Sequence, residues 1–296
     1  MLVSIVIRTL NEERFLGDLL KQITKQRKDN FSVEVVVVDS GSEDDTINIA
    51  KSFNTKITHI QKNDFTFGRS LNIGSSVAQG EILIYVSGHC IPRDENWIIN
   101  LISPIREGIA GYTYGGQLGV EQTKFSEKQI FRKYYPEKSE ESQKGYFCNN
   151  ANSALKKEIW SNFKFNENLT GLEDMELAKR FTEEGGKILY VSEASVFHIH
   201  NESYTQIRRR FEREAIALKF IMPEINVTLS DMVRYIISSI IYDIKTAVIE
   251  KIIFKEVISI FKYRISQYYG TYVGNRSLRE LSREKKEKFF YPSNKI

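Results

Sequence analysis

Two cysteines in 296 residues, Cys90 and Cys148, are too few for a disulfide framework and too distant in the chain for a CxxC metal site. They fit a reducing compartment. No run of about 18 apolar residues occurs, so no membrane-spanning segment is expected. No basic stretch precedes the first apolar run at Leu2, so a signal peptide is not expected. The expected location is cytoplasmic. There is no internal repeat. Charge imbalance is slight as well: 42 Lys and Arg against 38 Asp and Glu leave +4. That excess belongs to the tail, where residues 228–296 carry a net +6 and leave −2 for the first 227. Hydrophobic content of 41% and charge of 27% are ordinary for a folded chain of one large or two small domains.

The first 90 residues alternate strand and helix. Leu2–Ile7 and Val33–Val38 are apolar, β-branched runs of the kind buried on both faces of a sheet. Between them Phe15, Leu19, Leu20 and Ile23 recur at helical spacing. Asp39-Ser40-Gly41-Ser42 breaks the second strand, and Ser42 with Asp45 can cap the next helix. Lys56–Gln61 reads as a third strand, Ser70–Ala78 as a helix ended by Gly80, and Glu81–Val86 as a fourth strand. Such alternation predicts a parallel sheet with right-handed crossovers, whose ligands bind beyond the carboxyl ends of the strands. Those ends are Arg8–Glu12, Asp39–Ser42 and Ser87–His89.

Further along, Gly111–Gly119 reads as a bent strand, Thr123–Tyr135 as a helix and Pro136–Gly145 as a polar loop. Phe147–Leu155 holds three asparagines, Asn149, Asn150 and Asn152. Amides in so apolar a segment bond to backbone in a turn or to a ligand. Gly171-Leu172-Glu173-Asp174 opens another helix. Asp174 shares a face with Leu177, Ala178 and Phe181 and is expected to look inward at the helix N-terminus; Glu173 shares its face with Glu176 and Arg180 and is expected to look outward. An inward carboxylate at a helix start is either a capping group or a general base. His198-Ile199-His200 follows the next strand, and its i, i+2 spacing predicts both rings on one face. Ser203–Phe220 is a helix with a Ser203–Gln206 capping box, apolar at Ile207, Phe211, Ala215 and Leu218, with Arg208, Arg209, Arg210 and Arg213 over the rest. Residues 229–268 read as one or two long amphipathic helices in which Lys245, Lys251, Lys255, Lys262 and Arg264 interleave with isoleucines. Residues 276–288 predict a charged, solvated helix.

An ordered set of segments resembles the family 2 inverting glycosyltransferases with a GT-A fold: SIVIRTLNEERFL, VVVVDSGSEDDT, GRSLNIGSSVAQGEILIYVSGHCIP, GLEDMELAKR, then the histidines. The resemblance covers residues 1–220. It implies an α/β, Rossmann-like, mostly parallel sheet flanked by helices, with a catalytic domain over 1–225 and a basic helical C-terminal extension over 226–296. It implies a nucleotide-sugar donor with Thr9 and Glu12 lining the nucleoside pocket, Asp39 on the base or ribose and Arg69 facing the diphosphate. Asp174 is then the base that deprotonates an acceptor hydroxyl, with Glu173, Asn150 and Asn152 in the vicinity of the acceptor or sugar. The acceptor is a glycan or lipid-linked glycan, and the setting is bacterial surface polysaccharide assembly, as in capsule or lipopolysaccharide.

The chain departs from that pattern at one place. The family's Asp-x-Asp, which carries a divalent cation under the diphosphate, reads Ser87-Gly88-His89 here. Either His89 ligates Mn²⁺ or Mg²⁺ with His198 or His200, the imidazoles favouring Mn²⁺, or Arg69 and the 208–213 arginines, Arg209 and Arg213 among them, neutralise the leaving group. His89 can also be a hydrogen-bonded core histidine. Two other functions compete. A sugar nucleotidyltransferase needs a glycine-rich phosphate loop after the first strand, and Arg8-Thr9-Leu10-Asn11-Glu12-Glu13 has no glycine. A non-catalytic glycan-binding or scaffold protein draws support from the missing Asp-x-Asp but leaves Asp174 unexplained. The basic amphipathic tail either packs on the catalytic domain, makes a homodimer, or lies peripherally on the inner face of the cell membrane. No motif suggests a nucleic-acid partner.

Overall fold

The computed structural model describes residues 1–139, 143–277 and 289. Contacts divide the chain into two compact units. The first comprises residues 1–120, 131–168 and 173–199; the second comprises 121–130, 169–172 and 200–296.

The first unit begins as its sequence pattern dictates. β1 (Leu2–Thr9), α1 (Glu13–Lys25), β2 (Ser32–Asp39), α2 (Thr46–Ser52), β3 (Lys56–His59), α3 (Phe67–Val77) and β4 (Ile82–Ser87) follow one another with short connections. β2 and β4 flank β1 and β3 flanks β2, all parallel. Then come β5 (Cys90–Pro92), α4 (Trp97–Arg106), β6 (Tyr112–Leu118), α5 (Phe125–Tyr134), β7 (Asn152–Lys156), α6 (Lys157–Phe163), α7 (Glu173–Glu183) and β8 (Ile188–His198). The eight strands form one sheet in the order β3-β2-β1-β4-β7-β6-β8-β5. β7 runs antiparallel to both β4 and β6, so the sheet is mixed beyond its parallel half. The strand expected at Gly111–Gly119 is β6, and its bend is a register shift between Gly115 and Gln117.

Two cores cover the two faces. Ile5, Ile7, Leu19 and Leu20 pack with Trp97 and Leu101 on one. Val6, Val36, Leu71 and Tyr85 pack with Trp160 and Leu177 on the other. Strands buried on both faces explain the uninterrupted Val/Ile runs, since each fully buried side chain contributes about 1.5–3 kcal/mol. The shared register places Thr9 opposite Asp39 and Arg8 opposite Ser87, so three strand ends open onto one edge.

Some local expectations give way. Ser42 does not cap α2; its hydroxyl donates to Asp39, and Asp44 accepts from the Thr46 N–H instead. α3 ends at Ala78 in extended backbone, before Gly80.

The second unit is helical. α8 (Tyr204–Ile221) carries the expected Ser203–Gln206 capping box. α9 (Leu229–Ile249) and α10 (Ile253–Arg276) make two helices of the expected tail. α8 buries Glu212 and Ile216, where Leu218 was expected, because α10 lies against its backbone. A Cβ on Gly270 would stand 2.3 Å from the Arg208 carbonyl oxygen, and one on Gly274 would stand 2.2 Å from that of Glu212. Only glycine permits that approach. Arg264, one of the cations interleaved with isoleucines in the sequence, is buried against Asp243. The charged helix expected over 276–288 falls outside the described residues after 277.

Candidate active site

The ends of β1 and β2 are laced together by side chains. Asp39 is buried, and both of its carboxylate oxygens are engaged. Oδ1 accepts from the Ser42 hydroxyl at 2.5 Å and from the Thr9 hydroxyl at 3.2 Å; Oδ2 accepts from the Gly41 and Ser42 N–H groups at 2.9 and 3.0 Å. The neighbouring loop is tied in the same way. Asn11 N–H donates to Ser42 Oγ, and Glu43 N–H donates back to Asn11 Oδ1. Glu12 N–H donates to Thr46 Oγ1 at 2.7 Å. Asp39 therefore ties together the backbone of residues 40–42 at these strand ends, the place where ligands of parallel sheets bind.

β4 ends in Ser87-Gly88-His89. His89 Nδ1 lies 2.7 Å from Glu12 Oε1, and its ring stacks on His198 at 5.1 Å between centroids. His198 Nδ1 lies 2.6 Å from Gln117 Oε1, and Phe131 stacks on the same ring. Gly88 is closely packed: a Cβ there would meet Glu12 Cγ at 3.0 Å and the Arg8 carbonyl oxygen at 3.3 Å, so those neighbours would have to shift by a few tenths of an ångström. Two imidazoles, His89 and His198, thus face each other beyond the end of β4, and Glu12 holds the His89 ring through Nδ1. Ring nitrogens of His89 and His198 lie within 4.8 Å of each other. Imidazole donors suit a borderline divalent ion such as Mn²⁺ better than Mg²⁺.

Asp174 occupies the first turn of α7 and is buried, on the inward face with Leu177 and Ala178. Its Oδ2 accepts the Asn150 N–H and its Oδ1 the Met175 N–H, each at 2.8 Å. Burial, followed by the neighbouring Glu173 charge, outweighs those bonds and the attraction of Arg8, and pushes the carboxyl up to about 7. Asn150 is held in turn, its Oδ1 accepting from Tyr112 at 2.6 Å and Ser153 at 2.7 Å. Burial, and then the Asp174 carboxylate, pushes the nearby Cys148 thiol well up, so it stays protonated.

Glu173 corrects the sequence expectation. It is buried, because Arg8 reaches it from the end of β1 at 3.4 Å. Arg8 also lies over the Phe67 ring at 4.9 Å. Sequence reasoning named the strand end but not this cation, which joins the β1 end to the start of α7. The arginine it did name, Arg69, is exposed in the first turn of α3, where its N–H meets the Thr66 cap. Asn152 turns to the scaffold: its Oδ1 accepts from Trp97, and its Nδ2 donates to the Gly116 and Ala194 carbonyls.

The remaining residues belong to the second unit. His200 lies beyond the end of β8, so the expected two-residue repeat on one strand face stops at His198. His200 Nδ1 is 2.8 Å from the buried Glu127, which Arg210 also meets at 2.8 Å. Arg210 bonds Glu202 through Nε as well. Burial pushes Glu202 upward, but Arg210 and His200 outweigh it and hold that carboxyl at about 2. Arg213 is half-buried beside Gly171, with Thr170 donating to its carbonyl oxygen. Arg209 is half-buried on α8.

The family model described as glycosyl transferase family 2 matches residues 4–162. Over 226 residues the chain is 26% identical to the O-antigen chain rhamnosyltransferase RfbN of Salmonella typhimurium, spanning 72% of this chain and 70% of that protein. It is also 26% identical to the O-antigen chain rhamnosyltransferase WbaN of Salmonella anatum, spanning 64% of this chain and 62% of that one. Among solved structures it resembles the mannosyltransferase PcManGT from Pyrobaculum calidifontis, in complex with GDP-Man and Mn²⁺. That likeness has a TM-score of 0.63 at 16% identity and covers 92% of this chain and 84% of the other.

Proposed function

The chain belongs to glycosyl transferase family 2, with the GT-A fold, and from that premise we propose that it transfers a sugar with inversion from a nucleotide-sugar donor to an acceptor hydroxyl in bacterial surface polysaccharide assembly. One observation carries the reaction: a buried carboxylate, Asp174, held at about 7 beside Glu173 and Arg8. A base titrating near the working pH combines adequate ionisation with adequate basicity.

The acceptor oxygen attacks the anomeric carbon as its proton passes to Asp174. The bond from that carbon to the phosphate oxygen breaks, and its electron pair leaves with the nucleotide. The buried Cys148 is a protonated thiol and a poor nucleophile, which suits a single displacement. Thr9, Glu12 and the Asp39 loop line the nucleoside side. Arg8 and Arg69 offer positive charge toward the diphosphate. Asn150 holds Asp174 through its N–H and, with Glu173, borders the acceptor. Asn152 supports this region through the scaffold. A divalent cation held by His89 and His198 would supply Lewis-acid neutralisation of the leaving diphosphate. The names RfbN and WbaN make nucleotide-activated rhamnose the first donor to try.

The test is a panel of nucleotide sugars on the full chain, read by calorimetry and by nucleoside diphosphate release. A bound donor at 100 times its dissociation constant stabilises by about 2.7 kcal/mol. A panel in which nothing binds and nothing is released removes the transferase assignment.

Two further outcomes are expected. Asp39→Ala weakens nucleotide affinity by about 1–3 kcal/mol, because the loop loses the four donors' common acceptor. Unchanged affinity in calorimetry would take Asp39 out of the donor site. Turnover is higher with Mn²⁺ than with Mg²⁺ and is lost in chelator, and His89→Ala removes the difference between the metals. Full turnover in chelator would instead assign leaving-group stabilisation to the arginines.

A further inference from the structure

α10 is apolar on two sides. Ile260, Tyr263, Gly270 and Gly274 form its buried stripe. Phe254, Ile258, Phe261 and Ile265 recur at i, i+4, i+7 and i+11 and are all exposed. A helix with two apolar stripes has two partners, and the second unit covers one stripe. The exposure peaks at the turn between α9 and α10, where Ile249 is 79% and Phe254 98% exposed. Large apolar groups so fully exposed mark an interaction surface.

The charges around the turn identify the partner. Lys245, Lys251, Lys255 and Lys262 are all exposed and outnumber Glu250 and Glu256 over this stretch. A protein partner would have to bury those lysines together with the isoleucines, and lysine is depleted from protein interface cores. A bilayer accepts both. The apolar tip enters the acyl boundary, while lysine stems lie along it and their ammonium groups reach the phosphates.

We propose that the α9–α10 turn, led by Ile249 and Phe254 and ringed by Lys245, Lys251 and Lys255, docks the chain on an anionic lipid surface. None of these residues belongs to the proposed donor or base set, so failure here leaves the transferase assignment standing.

The test uses the full chain with vesicles of phosphatidylcholine alone or mixed with phosphatidylglycerol. Wild type is expected to co-sediment with the anionic vesicles, more weakly as salt rises and more weakly still with phosphatidylcholine alone. The double variant Ile249→Ser/Phe254→Ser is expected to lose about tenfold or more of that partitioning with an unchanged melting temperature, because both side chains are already in water. Lys245→Gln/Lys251→Gln/Lys255→Gln is expected to remove the preference for anionic lipid. Three outcomes would overturn the proposal. Wild type fails to sediment at low salt, or it sediments equally with the Ile249/Phe254 variant. In the third, gel filtration with light scattering finds a dimer that the serine variant dissolves while vesicles bind neither protein; a second copy would then own the face.

Discussion

Replacing Asp174 with asparagine is expected to lower turnover by about 10²–10⁴-fold while leaving nucleotide affinity unchanged. The size of the effect follows from what the variant keeps. The asparagine oxygen can still accept one of the N–H bonds from Asn150 and Met175, so α7 starts in the same place. What it lacks is a site for the acceptor's proton. Wild-type activity should rise with pH through about 7, as Asp174 ionises, and the residual activity of the variant should lack that limb. Stability depends on pH through the same group. The folded carboxyl sits at about 7 against an ordinary 3.8, so the unfolded chain ionises first as pH rises. Wild type therefore loses stability relative to the variant between about pH 4 and 7, and the gap is flat on either side. Near-normal transfer by Asp174→Asn, or an unshifted acid limb, would take Asp174 out of the chemistry.

What the sequence makes legible about this site is what is local. The Val/Ile runs declare strands buried on both faces, and the breaks at Asp39 and Ser87 show where they open. Asp174 is readable as inward because Leu177 and Ala178 lie one turn along the same helix. Glu173 is not readable in that way. Its helical neighbours are polar, and its burial depends on Arg8, 165 residues distant in the chain. Asp39 is half legible: its place at a strand end is visible, whereas the loop donors that occupy its carboxylate depend on how residues 40–42 turn. His200 is half legible as well. The strand face itself ends at His198, and Nδ1 of His200 meets Glu127. A carboxylate buried far off in sequence leaves no periodic trace beside the histidine it binds.

The helical unit contains a case in which the trace was present. Asp243 lies on the same face of α9 as Ile236, Ile240 and Ala247, so the helical period alone places a carboxylate among inward apolar residues. Such a group needs a cation, and Arg264 supplies it: Nε and Nη2 meet Asp243 Oδ2 and Oδ1 at 2.7 Å each. The Ser126 hydroxyl adds a third bond to Asp243 at 2.6 Å, and Arg264 Nη1 donates to Gln267. Desolvating both ions costs nearly what the pairing returns, so the intact bridge adds little net stability, but an orphaned partner costs much. Arg264→Met is therefore expected to destabilise the fold by about 3–5 kcal/mol, since it strands a carboxylate with no exposed surface. Asp243→Leu strands the guanidinium at a similar cost. The double variant Asp243→Leu/Arg264→Met should recover most of the loss, because two apolar side chains of similar reach replace the pair in a cluster already built from Ile240, Ala247 and Ile260. Denaturant titrations of the three variants separate the alternatives. Single variants within about 1 kcal/mol of wild type would show a hydrated pair rather than a buried one. A double variant as damaged as either single would show that the bridge positions α9 on α10 through geometry that packing cannot replace.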